Sequence, residues 1–173
     1  CCDSRVSPEV IFDAGPGELF VLRNIANLVP VYQPDANAHG VSAALEYAAS
    51  VLRVKHIVVL GHAQCGGIKF FAESSAPLSK SNFIGQWISQ IAPASERLGA
   101  HAHDDMEAYK RQLEFASVEL SLANLMTFPW VKAKVEAGEL ELHGAFFGVA
   151  SGRLLVRDAS TGRFEPVEGV PFN

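Results

Sequence analysis

Short apolar runs separated by polar turns divide this chain into readable elements. Residues 56–62, HIVVLGH, place an isoleucine, two valines and a leucine in succession, and such a β-branched run predicts a strand covered on both faces. The run ELFVLRN, residues 18–24, follows the turn AGPGE and predicts a second buried strand. Between them Val41, Ala44, Leu45, Ala48 and Leu52 recur at helical spacing, so residues 38–53 are expected as an amphipathic helix. Strand, helix, strand is a crossover, and crossovers make parallel sheets.

Further along, Phe115, Val118, Leu122 and Leu125 mark a helix over residues 104–126, which Pro129 helps to end before a short helix at 130–137. After Gly138, the runs LELHGAFFGV and RLLVRD flank the turn ASG and predict a hairpin. The expected fold class is α/β: a mostly parallel central β-sheet with an antiparallel edge strand and helices on both faces. No repeat, low-complexity tract or long linker interrupts it, so residues 1–173 are read as one domain. In such sheets ligands gather at the carboxyl ends of strands.

Composition narrows the function classes. The chain has 173 residues, 49% hydrophobic and 19% charged, which suffices for a domain with a real core. Its net charge is −5 and its lysines and arginines are scattered, so neither nucleic acid nor an anionic membrane is an expected partner. The longest apolar stretch, around Ile57 and Leu60, is far too short to span a bilayer. Three cysteines, an odd number, favour a reducing compartment and a metal or nucleophile role. The expected location is cytoplasmic, or elsewhere after removal of an N-terminal targeting segment.

The candidate chemistry lies in two short stretches. GHAQCGG leaves the strand 56–62 with His62 and Cys65 three residues apart, a spacing that lets imidazole and thiolate converge, and zinc accepts both. His-x-x-Cys alone is a weak signal. It gains weight because CCDSR, residues 1–5, offers Cys1 or Cys2 as a third soft ligand where another strand is expected to end. Three protein ligands leave a tetrahedral ion one open position, as catalytic zinc sites do. A fourth ligand would have to come from His39, His56, His101, His103 or His143, none of which repeats a close ligand spacing. Two thiolates neutralise the ion and weaken its pull on a bound water. Asp3 can favour and orient the hydroxide by accepting its hydrogen bond, provided that Arg5 keeps the carboxylate ionised.

CCDSR together with GHAQCGG resembles the two signature motifs of the β-class carbonic anhydrases, and the likeness extends through PGELFVLRNIANLVPVY, GVSAALEYAASVLRVKHIVVLGH and LELHGAFFGV. The resemblance implies one zinc per chain on Cys1, His62 and Cys65, with Cys2 at a variable position and Asp3 with Arg5 as a catalytic dyad. It implies an apolar substrate wall of Phe20, Ile25 and Tyr47 and a substrate-facing amide at Gly66. The implied reaction is reversible hydration of carbon dioxide to bicarbonate and a proton by zinc-hydroxide attack, with one of the other histidines shuttling the proton. The implied partner is a second copy, as homodimer or tetramer.

By the same resemblance the N-terminal helices and first strand of the family would precede Cys1. Phe147, where a bicarbonate-regulated subgroup has tyrosine, and NLVPVY resemble the open-site, plant-like subgroup, in which Asp3 stays paired to Arg5. Three alternatives stand beside this reading. One is hydrolysis of carbon disulfide or carbonyl sulfide on the same site. The second is a noncatalytic zinc-stabilised scaffold, and the third a Cys65 nucleophile activated by His62. HAHDD, residues 101–105, is read as a solvated helix start.

Overall fold

The computed structural model describes residues 1–35, 37–74, 76–99 and 105–167. Its sheet has the order β1-β2-β3-β4, formed by His56–His62, Glu141–Gly148, Arg153–Arg157 and Phe164–Pro166. β1 and β2 are parallel, with His56 opposite Glu141 and His62 opposite Phe147. The β2–β3 pair is the expected hairpin, antiparallel, with Gly148 opposite Arg153 and a turn carried by Gly152 at φ 66°. β4 adds a further antiparallel strand that the sequence reading did not include.

The helices are α1 (Pro8–Ile11), α2 (Gly40–Glu46), α3 (Gly66–Glu73), α4 (Phe83–Ile88), α5 (Ala92–Leu98), α6 (Met106–Leu125) and α7 (Pro129–Glu136). α2 runs on through a π-helical turn, Tyr47–Leu52, and ends where Arg53 turns left-handed at φ 55°. α6 starts where Asp105 caps it, its carboxylate accepting from the Glu107 and Ala108 amides at 3.0 Å each. Pro129 is the first residue of α7, a position where its missing N–H costs nothing. Asp105 thus belongs to a helix start as expected, while His101 and His103 lie outside the described residues.

α6 packs across β1 and β2. Its buried face of Leu113, Ser117, Val118, Leu120, Ser121 and Leu125 separates two apolar clusters, one around Cys65 and Ile68 and the other around Val59 and Phe128. Two strand glycines permit the approach. A Cβ on Gly61 would stand 2.5 Å from a Val118 methyl, and one on Gly144 would stand 3.1 Å from Leu122. On the opposite sheet face Leu60 and Ala145 pack with Val6, against Ile11 and Phe12 of the α1 region.

The second predicted strand requires correction. Residues 18–24 join no ladder among the described residues, and Leu19, Phe20, Val21 and Leu22 stand 37–50% exposed. A strand is stabilised by a neighbour that pairs its amides and carbonyls. Here the one backbone bond from this run to residues 1–6 goes from the Cys2 amide to the Asn24 carbonyl, at 2.9 Å. The run is tied down instead by Arg23, whose guanidinium donates to the Cys1, Asp3 and Val6 carbonyls at 2.6–2.9 Å.

Candidate metal centre

β1 ends at His62, and the chain then turns through Ala63 and Gln64 into α3. Gln64 takes the left-handed conformation at φ 58°, which reverses the chain tightly enough to set Cys65 at the mouth of the helix. Gly67 lets the first turn of α3 press on the 3₁₀ turn Ile25–Asn27, since a Cβ there would meet Ala26 Cβ at 2.8 Å and Ile25 Cγ2 at 3.0 Å. Residues 1–5 lie alongside. The outcome is that one ligand atom each from Cys1, His62 and Cys65 falls within 4.8 Å of the others.

The donor set fits a zinc ion on three counts. His62 is 1% exposed; its Nδ1 donates to the Ala63 carbonyl at 3.0 Å, and its Nε2 is buried with no hydrogen-bond partner among the described residues. A buried imidazole nitrogen without a partner is costly unless a ligand takes its lone pair. Burial also holds the His62 pKa below the ordinary imidazole range, so the ring is neutral, as a metal ligand must be. The Cys1 and Cys65 sulfurs are 4.0 Å apart, too far for a disulfide and close to the roughly 3.8 Å that separates two thiolates on one tetrahedral zinc.

Cys65 has opposing influences. Burial pushes its thiol up, while the Ile68 and Gly67 amides at the start of α3 pull it down. A cation at the site would complete what those amides begin.

Asp3 and Arg5 form a two-pronged ion pair. Arg5 Nε donates to Oδ1 at 2.9 Å and a terminal nitrogen to Oδ2 at 2.7 Å, while the Arg5 backbone amide adds a third bond to Oδ1 at 3.0 Å. These bonds hold the Asp3 carboxyl far below the usual carboxylate range, so it is ionised throughout the neutral region. The same Arg5 nitrogen donates to the Gln64 carbonyl at 3.1 Å, which links the dyad to the His62–Cys65 turn.

The Phe20 and Tyr47 rings are 5.9 Å apart at 35°, and Ile25 lies against Gly67, two residues beyond Cys65. All three are 43–50% exposed. Gly66 faces open space. The cavity of about 480 Å³ that borders Gln64 and Cys65 is a different, charged space, reaching Lys69, Glu107, Lys110 and Arg111.

The family model described as carbonic anhydrase matches residues 1–154. The chain belongs to the β-carbonic anhydrase family. It is 42% identical over 164 residues to a carbonic anhydrase of Pseudomonas aeruginosa, covering 95% of this chain and 73% of that protein. It is 40% identical over 156 residues to β-carbonic anhydrase 3 of Arabidopsis thaliana, covering 88% of this chain but only 60% of the relative. Among solved structures, the β-carbonic anhydrase CcaA superposes with a TM-score of 0.87 at 31% identity, covering 96% of this chain and 81% of that one. The tetrameric β-carbonic anhydrases of Sordaria macrospora give 0.77 at 30%, covering 90% and 76%.

Sequence reasoning missed three residues that shape this β-carbonic anhydrase site. Gln64 and Arg23 act through backbone carbonyls and leave no compositional trace. Glu114 had a signal, an acid within the apolar stripe of α6. It is 4% exposed and accepts the Cys65 amide at 2.9 Å, and burial raises its pKa. Glu114→Ala is expected to leave that buried amide unpaired and to cost about 1–3 kcal/mol of stability. Glu114→Gln, which keeps an acceptor oxygen, should recover most of the loss; thermal unfolding of the two variants checks both statements.

Proposed function

We propose that this chain catalyses the reversible hydration of carbon dioxide to bicarbonate and a proton on one zinc ion held by Cys1, His62 and Cys65. The observation that carries the reading is that Cys1, His62 and Cys65 each bring a ligand atom within 4.8 Å of the others, while His62 Nε2 is buried with no hydrogen-bond partner among the described residues. Bound by three protein ligands, zinc supplies Lewis acidity and makes a water molecule nucleophilic near neutral pH. The chain supplies the rest.

Asp3 accepts a hydrogen bond from the nucleophilic water and thereby fixes the direction of its lone pair. Arg5, which does not release its proton, keeps Asp3 ionised and in place. Phe20, Ile25 and Tyr47 offer an apolar wall on which an uncharged, nonpolar gas can lodge, and the Gly66 amide is available to a substrate oxygen. The Asp3–Arg5 ion pair supports the open-site, plant-like form, because an aspartate engaged twice by arginine is not engaged by the metal.

The same reading takes residues 1–173 as one domain working in a homodimer or tetramer. The exposed apolar run Leu19–Leu22 supports self-association, since a contiguous apolar patch at the surface favours a partner. A cytoplasmic location is supported by three unbridged cysteines, two of them needed as thiolates. No helix among the described residues is long and apolar enough to cross a membrane.

Stopped-flow measurement with carbon dioxide, run beside an assay for sulfide released from carbon disulfide and carbonyl sulfide, tests the choice of substrate. Hydration without sulfide release is the expected result. Sulfide release exceeding hydration would transfer the same site to the alternative substrates.

A further inference from the structure

A second constellation of ligand side chains among the described residues lies at the other end of β1 from His62. His56, Glu141 and His143 bring one ligand atom each within 4.8 Å of the others. The sheet explains why. His56 stands opposite Glu141 and Val58 opposite His143 in the parallel register, and residues two apart on a strand share a face, so all three side chains project from the same side of β1 and β2. His62 is on that face too, six residues and about 20 Å along β1, with Val58 and Leu60 between. The two constellations are therefore separate.

The spacing of the nitrogens is informative. His56 Nδ1 lies 3.1 Å from His143 Nε2, and the rings are 5.2 Å apart at 45°. Two imidazole nitrogens on one zinc-like ion, each at about 2.0–2.1 Å, are roughly 2.9–3.4 Å apart for bond angles between square and tetrahedral. The nearest Glu141 oxygen is 4.0 Å from His56 Nδ1 and 3.7 Å from His143 Nε2, so a small rotation of an exposed, unclamped side chain would bring it to the same point. Without an ion the cluster is an imidazole–imidazole hydrogen bond beside a carboxylate. The carboxylate also offsets part of an ion's charge.

We propose that His56, His143 and Glu141 form a second metal site, a solvent-facing two-histidine, one-carboxylate site for a divalent transition cation of the zinc class. Its chemistry separates it from the buried centre. It has no thiolate, and its ligands are 36–67% exposed, so it binds more weakly, exchanges with solvent and leaves positions free for water. The proposal does not depend on the function assigned to Cys1, His62 and Cys65.

Zinc titration of the untagged, zinc-loaded protein by calorimetry tests it. One additional equivalent is expected beyond the metal already bound, and His56→Ala and His143→Ala should each weaken that equivalent at least tenfold without changing the first. His56 is exposed and His143 is only partly buried, so neither substitution removes a core side chain. Cys1→Ser, which damages the buried centre alone, should keep the surface equivalent intact, and this separates failure of one site from failure of the other. Absence of the additional equivalent, or its persistence in both histidine variants, would overturn the proposal.

Discussion

Cys1→Ser is expected to strip the chain of its buried zinc and to lower carbon dioxide hydration by about a thousandfold or more. A serine hydroxyl is neither soft nor ionised, so the ion would lose one of three protein ligands and one of two compensating negative charges. The water it should activate would then drift back toward its bulk pKa, and the fraction present as nucleophile at neutral pH falls by orders of magnitude. Cys1 lies partly buried at the edge of the cluster around Cys65 and Ile68, and serine is close to cysteine in size, so lost metal rather than a lost core contact should dominate. The substitution also separates mechanisms. If Cys65 were itself a nucleophile activated by His62, Cys1→Ser would leave activity largely intact. Zinc content and hydration rate of the same preparation decide between the two.

Asp3→Ala should give the complementary pattern, with zinc retained and hydration reduced by about 10²–10⁴-fold, the range over which positioned acid–base groups act. Asp3 holds no place among the three converging ligand atoms, so the metal should stay. What is lost is the acceptor that orients the water. Its partner Arg5 is 44% exposed and regains solvent, so the loss of stability should be small beside the loss of hydration. A zinc-stabilised scaffold would instead show no hydration in either protein and no consequence of the substitution.

The parts of this architecture legible in the sequence were those written in local pattern. HIVVLGH is β1 to the residue, and the periodic run read over 104–126 contains α6, while Pro129, read as ending that helix, stands as the first residue of α7. The convergence of Cys1, His62 and Cys65 left a local trace for the same reason, since CCDSR and GHAQCGG each hold their candidate ligands within a few residues. Features set by tertiary structure were not legible. ELFVLRN has the composition of a strand, but pairing is a property of a neighbour, and the run is tied instead through the Arg23 side chain, which donates to the carbonyls of Cys1, Asp3 and Val6. His56 and His143 lie 87 positions apart, and only the parallel register of β1 and β2 makes them adjacent. Glu114 supports Cys65 from a helix that the sequence places 49 residues away.

Cys1, His62 and Cys65 are proposed to hold the zinc ion on which this chain hydrates carbon dioxide. The most direct test is hydration rate against tightly bound zinc, measured on one preparation before chelation, after chelation and after zinc is restored. The expected result is about one tightly held zinc per chain, with hydration that disappears and returns in proportion to it. Hydration that survives removal of the tightly held zinc, or a full complement of zinc with no hydration at any stage, would contradict the account.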